Sequence, residues 1–320
     1  MELYYSSLSD VGNVRTHNED FLFAGKLKGG EHLFIVADGM GGHSFGEVAS
    51  YRAVTGFIKA LKKGVGRNVP DALRKIVADI NSKLVLEGKK VGVHKGMGTT
   101  LSALYIKNGM GYIVHVGDSR IYRYSNSTGE LEQLTEDHSL VGKLLKDGFI
   151  TEEEAQAHPK RNVLYQSVGL KEEIEIQSMG PFPIQKGQKF LLCSDGLNSE
   201  VVDIEIKEFL KMTSMRRAAE GLIKKAKAGT ASDNITVIAV STEKDETDEA
   251  TRVEDTVKLT VPLKIKRKRK QRIVILLLLA LLILLLAAVI YLLVQDFKKE
   301  GTSDAEIILG ESTNGAETFR

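Results

Sequence analysis

The sequence of 320 residues contains a single cysteine, Cys193. One cysteine excludes an intramolecular disulfide and a cysteine-based zinc cluster. The chain also lacks an excess of charges of one sign, since it has 44 Lys and Arg and 42 Asp and Glu. Its overall electrostatic field therefore does not favour a nucleic acid as partner. With 42% hydrophobic and 27% charged residues, the chain is not mainly disordered.

The two ends of the chain differ in their membrane signals. The first ten residues lack the basic and apolar regions of a signal peptide. Residues 273–294, in contrast, are 22 residues without a charge. As a helix they would span about 33 Å, which is enough for a hydrocarbon core of roughly 30 Å. We therefore expect one transmembrane helix in this chain.

Charges on either side of the apolar run predict its orientation. Residues 264–272 contain seven Lys and Arg, whereas residues 295–320 contain six acids and three bases. The positive-inside rule places the preceding residues in the cytoplasm and the short tail outside. A basic run also occurs in nuclear-import and nucleic-acid-binding segments, but its place beside the span favours contact with lipid headgroups.

Composition divides the chain further. Residues 242–258 contain seven acids, three bases and no aromatic residue, which is typical of a solvated linker. The predicted parts are a main domain over 1–241, a flexible acidic linker over 242–263, a basic juxtamembrane segment over 264–272, a transmembrane helix over 273–294 and an extracytoplasmic tail over 295–320.

Apolar periodicity in residues 1–241 predicts both strands and helices. The predicted strands are 32–38, 99–107, 110–116, 120–124, 189–194 and 234–240. The predicted helices are 44–63, 70–87, 203–211 and 214–228. Because Asn-Gly and Gly-Asp turn signals separate the three strands between 99 and 124, we expect consecutive antiparallel strands there. This order favours antiparallel sheets covered by helices over a βαβ repeat.

Four aspartates share one local pattern, in which an apolar run adjoins an Asp that Gly, Ser or Asn follows. They are Asp38, Asp118, Asp195 and Asp233. One such residue is typical of a turn. Four of them supply the oxygen ligands that Mg²⁺ and Mn²⁺ prefer, although the sequence does not show that they converge. Arg15 has a donor fork that matches phosphate oxygens, or it forms a salt bridge within its loop.

Six short motifs follow one another along residues 1–241. They are GxxRxxNED (Gly12–Asp20), ADGMGG (Ala37–Gly42), GTT (Gly98–Thr100), VGDSR (Val116–Arg120), SDG (Ser194–Gly196) and SDN (Ser232–Asn234). Their order and spacing resemble the bacterial metal-dependent serine/threonine protein phosphatases of the PPM (type 2C) family. The resemblance implies an α+β fold, an α-β-β-α sandwich of two antiparallel sheets flanked by helix pairs.

The resemblance also assigns residues to two metal ions, Mn²⁺ or Mg²⁺. In the family, the aspartate that matches Asp38 bridges the two ions, and the following glycine, here Gly39, offers its backbone carbonyl. Asp195 and Asp233 match residues that complete the shell of one ion. Glu19 matches a residue that holds the other ion through water.

The remaining implied roles concern a third ion and the substrate. Asp118 matches a residue linked to a third, weaker ion that it shares with Asp195. Arg15 matches the residue that binds the substrate phosphate, and Asp20 is expected to orient Arg15 rather than to ligate metal. The implied reaction is hydrolysis of phosphoserine and phosphothreonine by a water that bridges the ions, so that Arg15 and Asp38 are the predicted catalytic residues.

Protonation of the leaving group stays open. Some family members have a histidine directly after the Asp-Gly pair, where this chain has Met40. His43 is the nearest histidine and the candidate general acid, with a metal-bound water as the alternative. Cys193 is not assigned as a nucleophile, because it lies in an apolar strand without a CxxxxxR loop.

The sequence also predicts how substrates and membrane come together. Ser139–Gly169 interrupts the strand pattern and matches the position of the mobile flap of bacterial family members, so we expect it to contribute to substrate choice. Span and family together imply a phosphatase on the cytoplasmic face of the cell membrane that acts on phosphoproteins of a membrane Ser/Thr kinase. The alternatives are a catalytically silent phosphoprotein-binding scaffold and a phosphatase dedicated to a partner-switching regulator.

Overall fold

The computed structural model describes residues 1–41, 45–90, 97–151, 154–155, 158–245 and 277–292. Two compact units divide the chain, Met1–Pro262 and Leu263–Arg320. Within the described part of the first unit, the strands are β1 Tyr4–Asp10, β2 Phe21–Lys26, β3 His32–Ala37, β4 Gly39–Met40, β5 Gly98–Thr99, β6 Leu101–Lys107, β7 Met110–Val116, β8 Arg120–Ser125, β9 Leu131–Gln133, β10 Gln177–Pro183, β11 Gln188–Cys193 and β12 Ile235–Ser241. The helices of the same part are α1 Phe45–Leu61, α2 Val69–Lys90, α3 Leu140–Lys146, α4 Asp195–Asn198, α5 Asp203–Lys211 and α6 Met215–Ala228.

Two five-stranded antiparallel sheets form the centre of this described part. The first sheet has the order β1-β12-β11-β8-β9 and the second has the order β10-β7-β6-β3-β2, while β4 and β5 form a short separate pair. One apolar layer contains residues of both sheets, including Phe34 of β3 and Ile238 of β12. The sheets therefore pack face to face.

Helices cover the outer face of each sheet. Phe57 of α1 and Leu73 of α2 pack with the second sheet. Ile206 of α5 and Leu222 of α6 pack with the first. These layers confirm the predicted α-β-β-α sandwich of two antiparallel sheets flanked by helices.

Burial on both faces explains why the central strands read as unbroken apolar runs. In β3, Leu33 and Ile35 face the helices, whereas Phe34 and Val36 face the other sheet. A strand between two packed layers needs apolar side chains at every position. The apolar run of residues 32–38 therefore predicted this strand correctly.

Local signals also placed the helix ends. The predicted helix over 214–228 begins one residue later because Ser214 is its N-cap, with a hydroxyl that accepts from the Arg217 N–H at 3.4 Å. The predicted helix over 203–211 has the same bounds in the structure.

One predicted pairing is wrong. Strands β7 and β8 are not hairpin partners, because β7 pairs with β6 and β10 in the second sheet and β8 pairs with β9 and β11 in the first. Residues 117–119 therefore cross from one sheet to the other. A Gly-Asp turn signal marks a change of direction, but tertiary packing decides which strand the chain joins next.

The second unit is described only in part. Residues 277–292 are helical, and the rest of the predicted span lies outside the described residues. Of the helices that the structure describes, none combines the length and the apolar character needed to cross a bilayer. Residues 246–276 and 293–320 also lie outside the described ranges, so the linker, basic segment and tail stay predictions.

Candidate active site

Asp38 and Asp118 lie at the same end of the second sheet. Strands β3 and β7 both pair antiparallel with β6, and both end opposite residues 101–102. Thr100, directly before β6, lies between the two strand ends. Its N–H donates to the Asp38 carbonyl and its hydroxyl accepts from the Asp38 N–H, each at 2.8 Å. The sheet register therefore brings these two aspartates together.

Asp195 and Asp233 lie together at an end of the first sheet. Strands β11 and β12 are antiparallel neighbours, and Cys193 at the end of β11 lies opposite Val237 near the start of β12. Asp195 follows β11 closely and Asp233 shortly precedes β12. Antiparallel pairing therefore makes them neighbours although 37 residues separate them in the chain.

The carboxyl groups of Asp38, Asp118, Asp195 and Asp233 meet at one edge of the sandwich, which we call the acidic edge. The side chains of Asp38 and Asp195 lie close enough to alter each other's pKa. Burial, followed by repulsion from Asp20, Asp195 and Asp118, raises the pKa of Asp38 well above its usual value. Burial and repulsion from Asp195 raise the pKa of Asp118 in the same way. Asp233 acts on Asp195 likewise, so all four predicted aspartates interact.

Asp20 occupies a different place from the predicted one. Its carboxylate accepts from the Ser194 hydroxyl at 2.7 Å, whereas Arg15 pairs with Asp233. The prediction that Asp20 orients Arg15 is therefore wrong. Asp20 directly precedes β2 and is only 8% exposed, while Arg15 lies in an exposed loop. Burial, with repulsion from Asp195 and Asp233, raises the pKa of Asp20 to about 7.

Glu19 is held at the same edge by its backbone. Its N–H donates to Asn234 Oδ1 at 2.8 Å, and its carbonyl accepts from the Ser50 hydroxyl at 2.5 Å. The chain passes so closely here that a Cβ on Gly39 would lie 2.5 Å from the Glu19 carbonyl oxygen and 2.3 Å from that of Gly46. Only glycine fits after Asp38 for this reason.

Arg15 lies at the exposed rim of the site. Its guanidinium donates to Asp233 at 2.8 Å, and its side chain is 50% exposed. The amide of Asn234 donates to the carbonyls of Val11 and His17 at 3.0 Å each, which holds the loop that carries Arg15. An ion pair this exposed contributes only about 0.2–1 kcal/mol, so the guanidinium can exchange Asp233 for another anion.

The donor set fits a hard divalent cation. In the described ranges, no three His, Cys, Asp or Glu side chains already stand as a metal-binding group. One oxygen each of Asp20 and Asp195, however, is buried and accepts no hydrogen bond within those ranges. A buried carboxylate oxygen without a partner costs free energy that a cation would offset. Oxygen ligands of this kind suit Mg²⁺ and Mn²⁺.

Two further predicted positions have different outcomes. Cys193 is fully buried, and burial raises the pKa of its thiol to about 12, which agrees with its exclusion as a nucleophile. His43 lies outside the described residues, so its role as general acid stays a prediction.

Sequence reasoning assigned no role to Thr100 or Asn234, although both stand in quoted motifs. Thr100 bonds both backbone groups of Asp38, and Asn234 bonds the backbone of the loop that carries Glu19. A motif shows which residue type is present, but not that its partner is a backbone group far along the chain. For Asn234, an amide directly beside the candidate ligand Asp233 was the available signal, whereas Thr100 has no candidate ligand near it in the sequence.

A cleft of about 530 Å³ opens beside Asp118 and Asp195. Val141 and Leu145 of α3 line one part of it, and residues 199–202, which precede α5, line another. Helix α3 belongs to the predicted flap. The flap and the acidic edge therefore border the same space.

Known proteins resemble this chain in sequence and in structure. Residues 13–228 match the family profile described as Protein phosphatase 2C. The serine/threonine phosphatase stp of Listeria welshimeri is 39% identical over 237 residues, which cover 72% of this chain and 93% of that protein.

Two solved structures share the fold. The crystal structure of the Mycobacterium tuberculosis serine/threonine phosphatase PstP/Ppp has a TM-score of 0.67 and 35% identity, and the match covers 75% of this chain and 98% of that one. The PstP catalytic domain in complex with two manganese ions has a TM-score of 0.64 and 34% identity, over 75% of this chain and 97% of that one. The chain therefore belongs to the protein phosphatase 2C family and is a protein serine/threonine phosphatase.

Proposed function

We propose that this phosphatase acts on phosphoserine and phosphothreonine in cytoplasmic proteins with two divalent cations, Mn²⁺ or Mg²⁺, bound at the acidic edge. The observation that carries the proposal is the meeting of Asp38, Asp118 and Asp195 from two sheets, with one Asp195 oxygen buried and without a hydrogen bond in the described ranges. The manganese ions of the PstP catalytic domain support the choice of cation.

Each proposed ligand has a place in this geometry. Asp38 interacts with carboxyl groups from both sheets, which would suit a ligand shared by two ions, and Gly39 would offer its backbone carbonyl. Asp195 and Asp233 would hold one ion, and Glu19 would hold the other through water. Asp118, on the cleft side, is the proposed ligand of a third, weaker ion. When bound, such ions supply an activated water and offset charge on the phosphoryl oxygens.

Arg15 is the proposed phosphate ligand. Its guanidinium is half exposed and bonds only the rim carboxylate of Asp233 among the contacts described. Two parallel N–H donors match two phosphoryl oxygens and would hold the phosphorus in line for attack. A bound cation on Asp233 would free the guanidinium for the substrate, because both compete for the same carboxylate.

The cleft beside Asp118 is the proposed site for substrate residues that flank the phosphorylated side chain. Val141 and Leu145 of α3 line it together with the acidic residues. Ser139–Gly169 would thereby contribute to substrate choice. Deletion of this segment should change the relative rates on a panel of phosphopeptides, and unchanged rates would contradict the proposal.

The C-terminal unit is the proposed membrane tether. The helical residues 277–292 expose apolar side chains, among them Leu284 at 67% and Ile283 at 66%, and lie within the uncharged run 273–294. We place the catalytic domain in the cytoplasm, the basic segment 264–272 at the headgroups and the tail outside. Tethering would raise the local concentration of substrates phosphorylated by a Ser/Thr kinase in the same membrane.

The central experiment measures phosphate release from a phosphothreonine peptide by the full chain in detergent. We expect activity that requires Mn²⁺ or Mg²⁺, is lost in Asp38→Asn and persists in Asp79→Asn, an exposed carboxylate on α2. Equal rates with and without metal, or an active Asp38→Asn variant, would refute the metal mechanism. A phosphorylated antagonist of a partner-switching pathway belongs in the substrate panel, since a strong preference for it would favour the narrower alternative.

Topology needs a separate test. A reporter fused after residue 320 should report the extracytoplasmic side. A cytoplasmic signal from that fusion would overturn the proposed orientation without affecting the proposed chemistry.

A further inference from the structure

Buried hydroxyl groups connect the loops that carry Asp38 and Asp118. The Thr100 hydroxyl accepts from the Asp38 N–H at 2.8 Å and shares a 2.7 Å hydrogen bond with the Ser119 hydroxyl. Thr100 and Ser119 are both fully buried. One hydroxyl pair thus joins the residue after β3 to the loop after β7.

The connection continues away from the acidic edge. The Ser102 hydroxyl lies 2.6 Å from the Ser119 carbonyl and 2.8 Å from His115 Nδ1, and His115 Nε2 lies 3.0 Å from the Glu136 carbonyl. Ser102 and His115 are also fully buried. Thr100, Ser119, Ser102 and His115 thus form one buried network, in which every polar side chain has a hydrogen-bond partner.

These contacts determine where the protons of the buried network lie. Burial, followed by repulsion from His138, lowers the pKa of His115 to about 3, so its ring is neutral. A neutral ring has one N–H, and the Glu136 carbonyl can only accept, so that proton lies on Nε2. Nδ1 is then an acceptor. The single hydrogen of the Ser102 hydroxyl is shared between two acceptors, Nδ1 and the Ser119 carbonyl.

Packing adds a second restraint on the same loop. Gly117 has φ of +116°, and a Cβ there would lie 2.5 Å from Cγ2 of Thr100. The Gly117 N–H faces His138 Nδ1 at 3.3 Å, and its carbonyl accepts from the His138 N–H at 2.7 Å. The loop before Asp118 is thus held against Thr100 on one side and against the start of the flap on the other.

We propose that Thr100 is a positioning residue, whose hydroxyl sets the spacing between Asp38 and Asp118 and thereby the affinity for divalent cations. This inference rests on the proposed function, because it takes both aspartates as metal ligands. Residues that orient ligands through hydrogen bonds alter metal affinity by about 10–100-fold when they are removed. The Thr100 backbone N–H would still hold the Asp38 carbonyl in a variant without the hydroxyl, so the effect isolates the side chain.

The test compares Mn²⁺ binding to the full chain in detergent for wild type, Thr100→Val, Thr100→Ser and Thr55→Val. Valine keeps the shape and the methyl contact with Gly117, and Thr55 is a control whose hydroxyl bonds only within α1. Calorimetry and the Mn²⁺-induced rise in Tm measure binding without reference to turnover. We expect the Mn²⁺ dissociation constant of Thr100→Val to rise about tenfold and that of Thr100→Ser to return to the wild-type value.

Kinetics separate positioning from general damage to the fold. At saturating Mn²⁺, Thr100→Val should keep the wild-type KM for a phosphothreonine peptide and lose kcat. Wild-type Mn²⁺ affinity in Thr100→Val, or an equal loss in Thr55→Val, would overturn the inference. If Thr100→Val does not fold, Ser119→Ala carries the test against Ser178→Ala, whose buried hydroxyl makes no hydrogen bond in the described ranges. Absence of Mn²⁺ binding in wild type would instead refute the proposed function.

Discussion

Two neighbouring regions of the catalytic domain bury charge in opposite ways. At the acidic edge, Asp38, Asp118 and Asp195 lie together, and burial with repulsion from neighbouring carboxylates raises the pKa of each. Two residues beyond Asp118, the Arg120 guanidinium donates to both oxygens of Asp137, at 3.0 Å from Nε and 2.7 Å from Nη2. One region collects like charge and the other pairs opposite charge.

The difference separates the parts of the domain that stabilise the fold from those that prepare it for ligand. The Arg120 region is complete by itself, because its Nη1 also donates to the Tyr122 hydroxyl, which donates in turn to Asp203. The acidic edge keeps buried oxygens without hydrogen bonds in the described ranges, so it lowers stability until a cation is present. Such a loss of stability is common where a site must bind a ligand tightly.

The first prediction concerns loss of the ion pair between Arg120 and Asp137. Arg120→Met leaves the Asp137 side chain, which is only 15% exposed, without its cation, and we expect a loss of about 3 kcal/mol in the free energy of unfolding. Arg123→Met is the matched control on the same strand, since its partner Glu132 is 54% exposed and the pair contributes about 0.2–1 kcal/mol. Urea denaturation measures both. Equal losses in the two variants would mean that the buried pair has no special weight.

At the acidic edge, removal of a charged side chain should raise stability instead of lowering it. Asp38→Asn removes a repelled carboxyl group, so we expect a higher Tm than wild type in metal-free buffer. Wild type should gain about 2.7 kcal/mol at Mn²⁺ one hundredfold above its dissociation constant, and the variant should gain almost nothing. Thermal unfolding with and without Mn²⁺ checks both statements. A metal-free variant less stable than wild type would contradict the assignment of repulsion to this edge.

The stability of the acidic edge should also depend on pH. Burial raises the pKa of Asp20 to about 7, so the folded state holds a proton that the unfolded state releases. This contribution to stability is present below the ordinary carboxyl pKa and is lost as the pH rises to about 7. Mn²⁺ competes with protons for the carboxylates, so its effect on Tm should be larger at about pH 8 than at about pH 5.5.

A variant isolates the group behind this dependence. Asp20→Asn should flatten the change in metal-free Tm across the same pH range, because its amide does not titrate. An unchanged slope in this variant would assign the dependence to the other carboxyl groups of the edge.

The last prediction tests whether the hydrogen bonds around Arg120 act as one network. Tyr122→Phe removes a hydroxyl that accepts from Arg120 and donates to Asp203, and we expect a loss of about 1 kcal/mol. In the Arg120→Met background the same change should cost less, because one of its two hydrogen bonds is already gone. Strict additivity of the two losses would show independent contacts instead.

Particular elements show how far sequence reasoning reached. Strand β3 was predictable because a strand buried on both faces must be apolar throughout, and α5 was predictable from its periodicity. Strand β1, which carries four serine or aspartate residues among seven, has no comparable pattern. It becomes a strand because β12, more than 220 residues later, offers it an edge.

The candidate site divides in the same way. The aspartates were predictable as a ligand type and as members of ordered motifs. Their pKa shifts were not, because burial and repulsion depend on distances between residues of different sheets. Asp20 is the clearest case, since its neighbours in the sequence suggested a partner in Arg15 and the fold gave it Ser194 instead.

The amino acids alone determined which chemistry the chain can perform, because oxygen ligands, an arginine fork and the order of the motifs are properties of residue type and spacing. They also determined where charge and apolar length change toward the C-terminus. Tertiary structure alone decided that β7 and β8 enter different sheets and that Thr100 holds Asp38 beside the Asp118 loop. Hydrogen bonds and repulsion act over a few ångströms, and only the packing of the two sheets brings residues so far apart in the chain within that range.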